Sequence, residues 1–144
     1  MDTGQDATWG QRVPPPPTSA RDTWTWAVAR PAELTAARGD LRRSLPAGAS
    51  PDDVDRLLLA FEELASNGLR HSGAPVEVRV STYDRGWLID VSDSCPEQPP
   101  TPAVDRDPAL GGLGLHLIAR LSAACGWAVT GSRKHVWAVL LPDV

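Results

Sequence analysis

FEELASNGLRHS, residues 61–72, lies in a stretch that reads as one amphipathic helix. Within it Glu63, Asn67 and His71 recur at spacings of four, and Arg70 follows Glu63 by seven. Residues three and four apart are neighbours on a helix surface. A carboxylate, a carboxamide and two basic or titratable groups therefore form one polar stripe. At about 100° per residue, Val54, Leu57, Phe61, Leu64, Ala65 and Gly68 fall on roughly the opposite side. Leu59 and Ala60 lie along the polar stripe one turn earlier, which suits the wall of a binding site. The competing reading is a solvated face whose basic residues near the C-terminus suit the helix dipole.

Working outward, Ser50, Pro51 and Asp53 open this helix with a cap, a first-turn proline and a capping-box pattern. Gly73 stops it. Gly68 costs about 1 kcal/mol relative to Ala inside a helix, so the sheet approaches closely there or the loss is tolerated. Upstream, Leu34, Ala37, Leu41 and Leu45 predict a helix over residues 32–45, begun by Pro31 and weakened by Gly39. Before it, residues 23–29 alternate Trp24, Trp26 and Val28 with smaller residues, as a strand does. Residues 1–22 have no apolar periodicity and carry four prolines at 14–17, so they read as a disordered or extended proline-rich tail in which Trp9 is a lone apolar residue. Residues 23–144 form the domain.

Downstream, Val76, Val78 and Val80 alternate with Glu77, Arg79 and Ser81, and a turn at 84–86 returns the chain antiparallel over residues 87–92. Five prolines between 94 and 110 exclude helix and strand, and such a long loop is usually a lid or linker. A helix resumes after Gly111-Gly112-Leu113-Gly114, with Leu117, Ile118, Leu121 and Cys125 on one face and Gly126 as its stop. Residues 127–130 and 135–141 close the chain as a second hairpin around 131–134. The order β-α-α-β-β-loop-α-β-β implies an α+β two-layer sandwich, a mostly antiparallel sheet covered by helices on one face.

The 144 residues suffice for one domain with a real core. A net charge of -4 argues against direct nucleic-acid binding. Cys95 and Cys125 make no disulfide framework, and His71, His116 and His135 lack zinc-ligand spacing. No apolar run reaches the ~20 residues of a membrane helix, and no signal peptide opens the chain. The expectation is a soluble cytoplasmic protein.

Two further features bear on chemistry. Trp87, Ile89, Val91 and Asp93 share one strand face. If the first three meet the helices, a carboxylate enters the apolar layer, where it needs a partner such as a ligand amino group or ordered water. Otherwise the strand has ended and Asp93 starts a turn. The Gly-x-Gly opening a helix can converge backbone N–H groups on an anion, or serve as a hinge. It matches neither the P-loop pattern nor a Rossmann fingerprint.

Together, E-x-x-x-N on a helix, an aspartate after a hairpin strand, a proline-rich loop and G-x-G-L opening a helix resemble the GHKL family of ATP-binding domains. The likeness covers roughly residues 23–141. The phrases ELASNGLRHS, DVSDSCPEQPP and GGLGLHLIARL look most like anti-sigma-factor serine/threonine kinases of actinobacterial type. The resemblance implies a Bergerat-type fold binding ATP and Mg²⁺. Asn67 would coordinate Mg²⁺, and Glu63 would be the general base. Arg70 and His71 would lie near the phosphates, and Asp93 would accept from the adenine amino group. Gly112, Leu113, Gly114 and Leu115 would border the phosphates, and residues 94–110 would be the ATP lid. The family pattern D-x-G-x-G is here Asp93-Ser94-Cys95-Pro96, with neither glycine, and Gly68 stands where alanine is usual.

The implied activity is transfer of the ATP γ-phosphate to a serine of an antagonist protein, with a sigma factor as second partner. The alternative is a GHKL-fold binding module that sequesters its partner with weak or no turnover, and the missing glycines favour it. A histidine-kinase catalytic domain is disfavoured, because the 22 residues before the domain are too short to supply a phospho-accepting helical region. Trp24 and Trp26, if partly exposed, mark a surface for partner docking or a homodimer.

Overall fold

Alternation and helical spacing resolve into eight elements in the computed structural model, which describes residues 9–15, 20–72, 75–94 and 113–142. They are β1 (Asp22–Val28), α1 (Pro31–Ser44), α2 (Pro51–Ser72), β2 (Val76–Tyr83), β3 (Gly86–Asp93), α3 (Leu113–Leu121), β4 (Ala124–Thr130) and β5 (Arg133–Leu140). The strands form one sheet in the order β1-β2-β3-β5-β4, every neighbouring pair antiparallel. The helices contribute the other half of one apolar layer. Leu34 and Leu41 of α1, Leu57, Phe61 and Leu64 of α2, and Leu115 and Ile118 of α3 are all buried there. The expected α+β two-layer sandwich is therefore the fold.

The long helix α2 organises this layer and packs against α1, α3, β2, β3 and β5. Its apolar stripe is continuous, with Leu57, Leu58, Ala60, Phe61, Leu64 and Ala65 essentially inaccessible. The loss at Gly68 has a packing reason. A methyl added there would stand 3.0 Å from Val76 and 3.2 Å from Val91, a tighter fit than side chains usually make, so the glycine suits the close approach of helix and sheet.

The register of β1 sets Trp24 opposite Val80 and Trp26 opposite Val78, so both indoles lie on the helix side of the sheet. Both are half-buried and packed against the core. Trp26 meets Phe61 edge-on at 5.4 Å and donates Nε1–H to Asp40 Oδ2 at 2.8 Å. Each indole keeps part of its surface exposed, as expected, while β2 supplies fully buried valines on the same face.

The third helix is shorter than its periodicity suggested. It ends at Leu121, where the Ser122 hydroxyl bonds back to the Ile118 carbonyl at 2.6 Å. Ala123 N–H then reaches the Val139 carbonyl, and sheet pairing takes over. Cys125, expected on the helix, is buried on β4 opposite Ala138. Cys95 lies outside the described residues.

Within the stretch read as a disordered or extended tail, residues 9–12 are held against the sheet. Gln11 bridges Trp127 in parallel, with Trp127 N–H bonding to the Gly10 carbonyl and Arg12 N–H to the Trp127 carbonyl. Trp9 is buried in the core. Trp137 Nε1–H donates to the Arg12 carbonyl at 2.9 Å, and the Arg12 guanidinium lies 5.6 Å from that indole's centre. The apolar body and N–H of each indole are satisfied together.

Two predictions concern this frame. Gly86 opens β3 with φ +125°, and a Cβ there would collide with the Leu140 carbonyl of β5. Gly86→Ala is therefore expected to destabilise the domain by about 2–3 kcal/mol, read as a lower urea midpoint with an unchanged slope. On the sheet face away from the helices, His135 Nδ1 lies 3.0 and 3.1 Å from the two Asp90 carboxylate oxygens. That bond raises the histidine pKa above its ordinary value, against burial and the nearby Arg133 and Arg79. A raised folded-state value stabilises fully below about pH 6.5, and the gain is lost as pH rises through the raised value. The melting temperature of the wild type should carry this decline, and His135→Gln should lack it.

Candidate functional site

Glu63, Asn67, Arg70 and His71 all lie on the C-terminal half of α2, a helix that packs against α3. Asn67 is buried and Glu63 is half-buried. Arg70 is exposed in the last turn, and His71 beside it is half-buried. The polar stripe is thus graded rather than uniformly wet, because α3 covers part of α2.

The Asn67 side-chain oxygen is buried and, among the described residues, accepts no hydrogen bond. Unsatisfied buried acceptors are rare, and each costs about 1–3 kcal/mol of desolvation. An amide oxygen is also a hard donor of the kind Mg²⁺ takes, alongside phosphates and waters. The residue therefore fits a role as one ligand to a nucleotide-bound cation.

Gly114 is the second residue of α3, and the Glu63 side chain packs directly onto it. A Cβ at Gly114 would overlap the Glu63 carboxylate and stand 2.9 Å from its Cγ. The two motifs, 51 residues apart in sequence, meet in space. A carboxylate at a helix N-terminus sits in favourable potential. The glycine here admits a side chain from another helix, a close approach that the sequence pattern alone left indistinguishable from a hinge.

Leu115, expected to border the phosphates, lies in the first turn of α3. Its side chain is 1% exposed and belongs to the core, while its carbonyl accepts Trp9 Nε1–H at 3.0 Å. Leu113 begins α3, and Gly112 and most of the expected lid lie outside the described residues.

Asp93 ends β3 on the helix-facing side, continuing the row of Trp87, Ile89 and Val91. The strand has not ended before it, and the carboxylate is buried at 2% exposure. Its cross-strand neighbour is Lys134, equally buried, with Nζ 3.5 Å from Oδ2. Sequence reading placed Lys134 in a turn and missed this pair. The signal lay in the alternation of Lys134 with Val136, Ala138 and Leu140, which sets all four on one face. The ammonium compensates the carboxylate charge that burial would otherwise penalise.

A carboxylate and an amide one turn apart on α2, a glycine-opened α3 beside the carboxylate and a buried aspartate at a strand end are the features the structure offers for comparison. Residues 27–140 match the model of the histidine kinase-like ATPase domain. The chain belongs to this family. Comparison with curated proteins gives no match. A histidine kinase-like ATPase domain implies ATP binding, and the matched span contains every candidate residue from Glu63 to Lys134. Residues 9–15 fall outside that span. Among the described residues no helix is long and apolar enough to cross a membrane.

Proposed function

We propose that the protein binds ATP with Mg²⁺ between α2 and α3 and transfers the γ-phosphate to a serine hydroxyl of a partner protein, in the manner of anti-sigma-factor serine/threonine kinases. The carrying observation is the buried, unsatisfied Asn67 oxygen one turn from Glu63. Asn67 would hold the cation, which when bound neutralises phosphate charge. Glu63 would accept the proton of the attacking serine hydroxyl, and Asp93 the hydrogen bond of the adenine amino group. Phosphoryl transfer rests mainly on positioning and charge stabilisation, so two fixed side chains on one helix are an apt start. The exposed Arg70 and the neighbouring His71 would meet phosphate oxygens. A sigma factor and its serine-bearing antagonist are the partners that the sequence resemblance suggests, in the cytoplasm.

A second reading, a partner-sequestering module with little turnover, is favoured by Ser94-Cys95-Pro96 after Asp93, where the family pattern has glycines. Titration calorimetry with ATP, with and without Mg²⁺, tests the site, and ATP turnover by Glu63→Ala separates the readings. Mg²⁺-dependent binding kept in Glu63→Ala, with turnover lost, supports the kinase. Binding without turnover in the wild type supports the module. No heat at millimolar ATP overturns the nucleotide site.

A further inference from the structure

The N-terminal segment grips the helix that borders the proposed nucleotide site. Trp9 is 8% exposed and donates to the carbonyl of Leu115, the residue after Gly114. The next three residues are fastened to the outer edge of β4. Gly10 and Arg12 exchange backbone hydrogen bonds with Trp127 at 3.0 and 2.8 Å, and Arg12 is held by Trp137 through its carbonyl and its guanidinium. Gly126 makes room for this added strand, since a Cβ there would stand 3.0 Å from the Gly10 carbonyl and 3.1 Å from Arg12 Cβ. Beyond it, Pro14 and Pro15 cover a cavity of about 220 Å³ over Asp90 and His135.

We propose that residues 9–12 are a strap that holds α3 in place for nucleotide binding, with Trp9 as the positioning residue; this rests on the nucleotide reading above. α3 has nine residues and no acidic residue in its first turn. A helix so short is marginal without tertiary contacts. Its contacts with α2 and β5 fix it from the layer side, and Trp9 adds a buried aromatic wedge and a hydrogen bond from the β4 edge. The wedge acts one residue from the contact between Gly114 and Glu63. A ligand whose competent state is only partly populated binds more weakly in proportion, so freeing α3 lowers affinity without removing any group that touches nucleotide.

The test uses the full chain with Trp9→Phe, Trp9→Ala and Arg12→Pro. The proline removes the Arg12 N–H donor and leaves Trp9 in place. Calorimetry gives the Kd for Mg²⁺-ATP, and hydrogen exchange compares α3 amides with those of β2 and β3. The expected result is a Kd raised about threefold to tenfold in Trp9→Phe, the worth of one buried hydrogen bond. Trp9→Ala and Arg12→Pro should shift it in the same direction, with faster exchange confined to α3 and the β4 edge. Wild-type binding with an unchanged Kd in all three variants overturns the strap alone. Faster exchange throughout β2 and β3 also overturns it, since the residues then serve only global stability. Absence of Mg²⁺-ATP binding by the wild type overturns both readings.

Discussion

Gly114→Ala is expected to lower ATP turnover by about 10²- to 10⁴-fold while costing the fold little. The range is that of removing a positioned general base. The new methyl would occupy the space of the Glu63 carboxylate, and the atoms it meets are the far end of a flexible side chain. The conflict is relieved by turning Glu63 away rather than by moving backbone. Stability should therefore stay within about 1 kcal/mol of wild type by denaturant titration. Glu63→Ala should lose turnover to a similar extent, and the double variant should lose no more than either single one, as expected when two changes disable one device. Wild-type turnover in Gly114→Ala would separate Glu63 from the chemistry.

Asn67→Ala should erase the Mg²⁺-dependent stabilisation by ATP. A ligand at 100 times its Kd adds about 2.7 kcal/mol, which for a chain of this size raises the melting temperature by roughly 5–10 °C. In the variant the increment should vanish. The ligand-free variant should be melted alongside as the reference, since one of the atoms it loses, Oδ1, accepts no hydrogen bond among the described residues. Paired melting curves with ATP, with and without Mg²⁺, decide the matter. A persistent Mg²⁺-dependent shift in Asn67→Ala would exclude Asn67 as the cation ligand.

The layer architecture was legible because periodicity reports burial. The alternating valines of β2 and the stripe of α2 specified the core directly, and the row Trp87, Ile89, Val91, Asp93 carried a carboxylate into it as the alternation required. Contacts between distant segments were less legible. Lys134 was read as part of a turn because its role depends on the β3–β5 register, which the residues of β5 alone do not fix. Cys125 continued the helical spacing of α3, yet competing sheet pairing from Ala124 captured it. Trp9 has no periodic neighbours, and its burial depends on an edge of β4 and a carbonyl of α3 that no local pattern announces. The contact of Glu63 with Gly114 belongs to the same class: each residue stood out in its own motif, but their meeting is tertiary.

The N-terminal strap also bears on the order in which the chain assembles. The β2–β3 and β4–β5 hairpins each turn within two residues, so their pairing needs little loop closure. β1 reaches β2 across separations of 48 to 60 residues, and the strap closes across 106 and 125. Long-range contacts form against a larger entropy, and topology of this kind governs folding rate more than it governs stability. The hairpins are therefore the natural nucleus, with the strap joining last. Substitutions in the strap should leave the folding limb of the chevron almost unchanged.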